Sequence, residues 1–488
     1  MQSALRHQLP EYRHTGDGLR GAPHHGDFEQ VQGSDRRGAA LLVRVTEMAA
    51  RSEPGSLVTR AWRAGRVWLL FGAALLAIAP PSFAVTCTSN ATGNWNDPTK
   101  WNGCTGGNGT PANTPGSSDD VVIAAGHTIT INIASVAALS VTFTGTGTAS
   151  TLTHTGTNAL TVGSGGVTIT GSNSNNVTKA WTINAGSATV NGNVTLKEGN
   201  ANNRPANITI TTGSLDINGN LAMDNASNNA RTTITMSGGA GNLFLSGSFI
   251  LTNNLGTLTP GATSTFTYDT NSTATVATGA AVSYANLVIN KAGGTATGSS
   301  TGTLTAINLT VQNGDFTTFT ANNLSVTGNL AVSAGALFNI ATTGVATITG
   351  TTTATGEVRI SAASGAKTFT GTVTISAATG KWNNTGNVAV ALAGNLDNNN
   401  TAADFISGSG TYTCTNTRTF GGTGGGLTFD GNLVINGQRT NNTTVEVKGN
   451  LSGSNTFINA AGKTLKIGGN ANAITTLTAT AAGNIVEY

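Results

Sequence analysis

The sequence LVIN at residues 287–290 recurs letter for letter at residues 433–436, 146 positions further along the chain. The same offset, without a gap, aligns TFTY at 265–268 with TYTC at 411–414. Looser copies of a Gly-Asn-apolar-x-apolar unit lie between and around these segments. Self-similarity of this kind is typical of proteins built from stacked repeats, in which each unit contacts only its neighbours.

The spacing of the Gly-Asn-apolar marker predicts the length of one repeat. Gly431, Gly449 and Gly469 are 18 and 20 residues apart, and the glycines at 192, 219 and 247 are 27 and 28 apart. Between them lie short segments of alternating polarity, which indicate strands. The pattern predicts an all-β fold, an elongated parallel β-solenoid of about twenty coils behind a signal peptide, in which each coil adds a strand to two or three sheets.

The turn residues agree with this prediction. Asn and Gly tolerate the left-handed backbone of a tight corner, and we expect Asn side chains of successive coils to hydrogen-bond in ladders. Thr at outward positions favours the strand and requires no charged partner. A row of antiparallel sandwiches or a barrel is the alternative, but sandwiches usually contain more aromatic residues than the 5% present here.

The charge distribution excludes two classes of partner. Charged residues make up 9% of the chain, far below the roughly 25% of an ordinary globular protein. Residues 1–84 hold 10 of the 24 Lys and Arg and 7 of the 21 Asp and Glu, which leaves 14 of each in the remainder. Without a basic stripe, neither nucleic-acid binding nor polybasic membrane binding is expected.

The first 84 residues have the pattern of a leader. Residues 1–47 are rich in His and Arg without a period, and we expect them to be disordered or to precede a true start at Met48. Residues 48–84 have a basic region, an apolar run at 67–79 and a small-residue site, which predict a signal peptide cleaved after Ala84. The apolar run is shorter than the ~20 residues that span a bilayer. An exported protein, extracellular or on the outer cell surface, follows from this prediction.

Three cysteines occur in the chain. In an exported protein Cys87 and Cys104 are expected to form a disulfide, which would stabilise a loop of this size by about 3 kcal/mol. Cys414 shares the strand face of Tyr412, and we expect its thiol to be buried and inert.

The first block after the leader resembles a known family. It reads GNWNDPTKW at 93–101, PGSSDDVVI at 115–123 and GHTITI at 126–131. This order resembles the start of G8-type domains and of related bacterial surface proteins with β-helical bodies. The YANLVI segment at 284–289 is similar to repeats of adhesin-like and pilus-associated surface proteins. The resemblance implies an extracellular β-helical protein that contacts surfaces or glycans, with a G8-like capping region at 85–145 and solenoid repeats at 146–488.

Four residues of this block are candidates for a site. Trp95 and Trp101 are expected to cap the first coil, with sugar stacking as the alternative. Asp119 and Asp120 fit a turn in which Asp bonds the backbone, with a Ca²⁺ ligand pair as the alternative.

Catalytic signatures are scarce. His127 and His154 are the only histidines after the leader, and we expect both at the surface. Asp397 and Asp404 could support glycoside cleavage, but no basic or aromatic residues gather near them in the sequence. No catalytic residues, cofactor or metal are predicted. The chain is interpreted as a non-enzymatic, adhesin-like β-solenoid; a polysaccharide-active enzyme and a filament subunit are the alternatives.

The last residues, 483–488, resemble the strand that leads into the LVIN unit, which does not follow. We therefore expect the last coil to be open, with an edge that invites end-to-end or edge self-association.

Overall fold

The computed structural model describes residues 84–106, 111–174, 176–199, 205–225, 231–236 and 238–488. The segment 1–47 and the predicted signal peptide, apart from Ala84, lie outside the described residues. The strands up to residue 298 are Val85–Ser89, Gly93–Asn94, Trp101–Asn102, Asp119–Ile123, Thr128–Ile131, Ser135–Phe143, Ser150–His154, Ala159–Thr170, Lys179–Ile183, Ser187–Val190, Val194–Lys197, Ala206–Ile210, Ser214–Ile217, Leu221–Asp224, Thr232–Thr235, Asn242–Leu245, Phe249–Leu251, Thr257–Thr259, Thr265–Tyr268, Ala274–Val276 and Tyr284–Gly298.

The remaining strands are Leu304–Thr317, Leu324–Val326, Leu330–Val332, Leu337–Ile340, Ala346–Ile348, Thr352–Ala354, Glu357–Ile360, Lys367–Phe369, Val373–Ile375, Lys381–Asn383, Val390–Leu392, Leu396–Asn398, Phe405–Ile406, Tyr412–Cys414, Arg418–Gly421, Leu427–Phe429, Leu433–Ile435, Arg439–Asn441, Thr444–Val447, Leu451–Asn459, Thr464–Ile467, Ala473–Thr478 and Ile485–Glu487. Three single-turn 3₁₀ helices span Pro98–Lys100, Thr252–Asn254 and Ala402–Asp404.

Each turn of the chain adds one strand to each of three sides, which we number in chain order. The turn that begins at residue 179 shows the order for sides 1, 2 and 3: Lys179–Ile183, Ser187–Val190 and Val194–Lys197. Each of these strands pairs in parallel with its equivalent in the following turn: Ala206–Ile210, Ser214–Ile217 and Leu221–Asp224. The chain is therefore a parallel β-solenoid, as the repeats predict.

Some strands are long enough to run around a corner. Ala159–Thr170 pairs with Ser187–Val190 on side 2 and with Val194–Lys197 on side 3. Hydrogen bonding consequently joins 33 strands into one sheet, beside a seven-stranded and a four-stranded sheet.

The number of turns is lower than predicted. Residues paired between neighbouring turns are 28 positions apart for Leu215 and Leu243, and 18 apart for Leu433 and Leu451, so the predicted coil lengths are confirmed. The solenoid nevertheless has about fifteen turns rather than about twenty. Three strands and three corners consume more chain per turn than the shorter marker spacings indicate. With strands about 4.8 Å apart, the stack of turns is about 70 Å high.

Strict alternation builds the core. Along side 1, the inward residues of successive strands stack as Ile129, Leu152, Trp181, Ile208, Ile234 and Leu258, and all are buried. Aromatic side chains also contact their neighbours along the stack: the ring centroids of Phe316 and Phe338 are 5.5 Å apart. Burying a column of large apolar side chains is the main stabilising contribution, at about 1.5–3 kcal/mol for each.

Asparagine ladders run along the corners, as the sequence predicts. Asn308 Nδ2 donates to Asn286 Oδ1 at 3.0 Å, and Asn308 Oδ1 accepts from the backbone N–H of Asn329 at 2.9 Å. Asn329 Oδ1 in turn accepts from the N–H of Thr351 at 2.9 Å. One residue type thus satisfies corner amides over successive turns, where the backbone ladder is interrupted.

Four cations lie inside the solenoid: Lys179, Lys291, Lys367 and Arg439. Each donates to backbone carbonyls at a corner, and none forms an ion pair with a carboxylate in the described part of the chain. Lys291 Nζ, for example, lies 2.7 Å from Ser246 O and 2.5 Å from Asp269 O. Lys367 Nζ donates to three carbonyls, of Gly344, Ser364 and Gly365, at 2.9–3.0 Å. We call these residues the corner cations; they hydrogen-bond carbonyls that the strand ladders leave free.

The final strands are less covered than the rest. Side chains of Ala473–Thr478 and Ile485–Glu487 are exposed or half-buried. Tyr488 is 88% exposed.

Candidate functional site

The predicted disulfide is present at the first turn. Cys87 lies in the strand Val85–Ser89 and is bonded to Cys104. The same strand pairs with Trp101–Asn102, which is the one antiparallel pairing among the described strands. A crosslinked antiparallel segment therefore lies against the edge of the first turn.

The two tryptophans of this block lie inside the protein. Trp95 is 0% and Trp101 is 3% exposed. Their ring centroids are 5.4 Å apart in an edge-to-face arrangement, and Trp101 Nε1 donates to Trp95 O at 2.9 Å. Neither ring offers an open face on which a sugar could stack, so their contacts are those of a packed end.

Asp119 and Asp120 point to opposite sides of their strand. Asp119 is buried, and its carboxylate accepts from Thr105 Oγ1 at 2.6 Å, from Thr105 N at 3.1 Å and from Gly116 N at 2.9 Å. Asp120 faces outward and accepts from Ser140 Oγ at 2.5 Å. The first carboxylate holds a loop in place, and the alternation separates it from the second.

The prediction that both histidines lie at the surface is wrong for His154, which is fully buried. His154 follows Leu152 by two positions, so both side chains point inward. Trp181 Nε1 donates to His154 Nε2 at 3.2 Å, and Nδ1 lies 3.1 Å from Asn158 O. His127 is half-buried, and its Nδ1 lies 2.9 Å from Ser89 Oγ. The two histidines are in separate turns and neither adjoins a carboxylate hydrogen-bond partner.

Asp397 and Asp404 lie on different elements. Asp397 is an outward residue of side 2, and burial by its neighbours raises the pKa of its carboxyl. Asp404 belongs to the 3₁₀ helix Ala402–Asp404 between sides 2 and 3, and its Oδ2 accepts from Thr401 Oγ1 at 2.5 Å. The structure thus gives the two carboxylates different surroundings and no common hydrogen-bond partner.

Cys414 is buried, as predicted, on the same strand face as Tyr412. Burial raises the pKa of the thiol to about 11, against the opposing effect of the nearby Arg439. Arg439 donates to Gly394 O and Leu392 O at 2.7 Å, and its guanidinium carbon lies 5.3 Å from the centroid of Phe420. A thiol held in its protonated form in a closed interior is a poor nucleophile.

The outer surface of side 1 has a feature that the sequence analysis did not identify. Two outward columns, which we call the threonine array, flank the buried residues of six successive strands. The first column is Thr130, Thr153, Thr182, Thr209, Thr235 and Thr259; the second is Thr128, Thr151, Ala180, Asn207, Thr233 and Thr257. The signal in the sequence is a recurrent Thr-x-Thr, but its alignment into columns requires the register between turns.

Side 3 has a different surface in the second half of the chain. Glu357 and Arg359 form an ion pair at 2.7 Å, and Asn383 donates to Glu357 at 3.0 Å. Lys466 and Glu487 form another at 3.1 Å. Charges of both signs therefore lie on side 3, and the array on side 1 contains none.

Within the described ranges, no group of three or more His, Cys, Asp or Glu side chains is arranged to hold a metal ion. Among the same residues there is no helix of the length and apolarity needed to cross a bilayer. No protein-family model, curated protein or solved structure matches the chain. The resemblance to G8-type domains consequently stays a prediction.

Proposed function

We propose that the chain is a secreted or cell-surface, non-enzymatic β-solenoid of the adhesin-like type, which contacts glycans, other surfaces or other cells. The observation that supports this most is the threonine array, a continuous uncharged surface repeated over six strands of a rigid body. A regular extended surface suits contact with an extended partner, as in other solenoid proteins.

The interior supports the same proposal. The side chains with chemical potential, among them His154, Asp119 and Cys414, are occupied by contacts within the fold. A hydrolytic triad needs a histidine beside a nucleophile and an orienting acid, and the two histidines of the solenoid lack that arrangement. Contacts with glycans would involve hydroxyl and amide groups, because Trp95 and Trp101 are buried.

Cell fractionation followed by binding measurements tests the proposal. The full chain is expected outside the cytoplasm, with a mature N-terminus after Ala84, and is expected to bind at least one class in an array of glycans and matrix proteins without converting it. Protein retained in the cytoplasm, or exported protein that binds no member of the array, contradicts the proposal.

A polysaccharide-active enzyme is the second candidate, because burial raises the pKa of Asp397, the direction that a general acid requires. Glycan turnover by the full chain that is lost in Asp397→Asn and retained in Asp430→Asn would favour this candidate. Asp430 is a suitable control because it forms a surface ion pair with Lys448.

A further inference from the structure

We propose that side 1 of the solenoid binds ice, with the threonine array as the contact surface. This is a further activity, independent of the adhesin-like role, and it rests on the register, chemistry and surroundings of the array.

Register gives the array a fixed geometry. From Thr128 to Thr259, the pairings between neighbouring strands of side 1 contain no register shift. The array positions therefore form a rectangular grid, about 4.8 Å between turns and about 6.7 Å along each strand. Water oxygens on a prism face of hexagonal ice form a rectangular net with closely similar repeats.

The hydroxyl groups of the array are free to bond water. In the described structure, their Oγ1 atoms have no hydrogen-bond partner within the protein. The side chains are half-buried between neighbours, and Thr128 and Thr259 at the two ends are exposed. Each threonine presents a hydroxyl that bonds water and a methyl group that displaces it, so the array combines both modes of contact with an ordered water layer.

The array is also held rigidly. The residue between the two columns is buried in every strand, including Trp181 and Ile208. β-Branched side chains have few χ1 rotamers, and stacked neighbours restrict them further. Binding to a lattice thus orders little that is not already ordered, which favours a repetitive, solid partner over a flexible one.

Other partners fit the array less well. It contains no cation for a polyanion and no aromatic ring for a sugar face. Protein interfaces are enriched in aromatic residues, Met and Arg, which are likewise missing from its columns. The equivalent outward positions of side 2 in consecutive turns are Thr189, Asp216 and Phe244, so the regular hydroxyl pattern is confined to one side.

The pattern continues along side 1 in the second half of the chain. Ser325, Thr347 and Thr368 are stacked outward in register. The backbone N–H groups of Thr349 and Thr370, two positions after Thr347 and Thr368, donate to the preceding turn and extend the ladder. The surface available to a lattice is therefore larger than the array itself.

Partition into slowly growing ice tests the proposal, with the full chain labelled and its concentration compared between ice and liquid. Thr182→Tyr/Thr209→Tyr places two bulky rings within the array. Thr189→Tyr introduces the same ring at a half-buried outward position of side 2, and serves as the control. Wild type and the control are expected in the ice, with at least about a tenfold lower incorporation of the double variant, equivalent to roughly 1.4 kcal/mol of binding free energy.

Thr182→Val/Thr209→Val, nearly isosteric with the wild type, removes only the hydroxyls and is expected to reduce incorporation without unfolding the chain. Wild type excluded from ice to the same extent as the tyrosine double variant overturns the proposal. So does an equal loss in the side 2 control. Binding of the wild type to crystalline chitin or cellulose, or array-dependent dimers in sedimentation, combined with exclusion from ice, assigns side 1 to another partner and also overturns it.

Discussion

Acid should destabilise the solenoid through His154. The Trp181 indole N–H can only donate, so His154 Nε2 accepts and the ring proton lies on Nδ1, which donates to Asn158 O. Protonation of the ring would place a second N–H on Nε2, opposite the indole N–H. Burial lowers the pKa of His154 from its usual 6.5, and the hydrogen bond to Asn158 O opposes this effect only in part.

The sign follows from proton binding. Above pH 6.5 the ring is neutral in both states and contributes no pH dependence. Below 6.5 the unfolded chain binds a proton that the folded chain does not, so stability falls with pH until the lowered folded pKa is reached. Each pH unit in that window is worth about 1.4 kcal/mol, and we expect a loss of this size between about pH 7.5 and 5.5.

Guanidinium unfolding at the two pH values, followed by tryptophan fluorescence, measures the effect. His154→Gln retains an acceptor for the indole N–H and a donor for Asn158 O but does not titrate, so its difference from wild type isolates the ring proton from the carboxylates. An unfolding free energy that depends equally on pH in wild type and in His154→Gln would refute the reasoning.

Four further outcomes are expected. Reducing the Cys87–Cys104 disulfide, which closes a loop with a sequence separation of 17, should lower the unfolding free energy by about 3 kcal/mol, measured by denaturation with and without reductant. Asp119→Ala leaves the N–H groups of Thr105 and Gly116 without their acceptor and should cost about 2–4 kcal/mol, with a smaller loss in Asp119→Asn. Cys414 should resist thiol reagents in the native protein and react on unfolding; rapid native labelling would contradict its burial. Burial lowers the pKa of Lys367 to about 8 from 10.5, so the unfolded chain binds more protons between these values; stability should rise with pH there relative to Lys367→Met.

The sequence predicts the solenoid because its repeats carry the period directly. Gly-Asn markers fix the corners and alternation fixes which side chains enter the core, as it does for Tyr412 and Cys414. The same rule applied to His154, two positions after Leu152, would have placed it inside; its threonine-rich surroundings obscured that signal. The number of turns could not be derived, since marker spacing does not reveal how many corners lie within one coil.

The threonine array lay beyond sequence reasoning for a physical reason. Thr153 aligns with Thr130 after 23 residues and with Thr182 after 29. Coils of unequal length place their extra residues in corners, and only the hydrogen-bond register shows which threonines become neighbours. The partners of the corner cations were hidden in the same way, because backbone carbonyls have no signature in a sequence.

The corner cations address a difficulty peculiar to chains of near-identical turns, which is slippage. A turn displaced by one repeat would still bury its Val, Ile and Leu residues against equivalent neighbours, so the apolar core discriminates poorly between the two alignments. Lys179, Lys291, Lys367 and Arg439 do discriminate: each finds its carbonyl acceptors at only one level of the stack. In a slipped alignment a charged group would be buried without those acceptors, at a cost of several kcal/mol. Four rare residues, widely spaced along the chain, thereby act as place markers that tie each part of a repetitive sequence to one position.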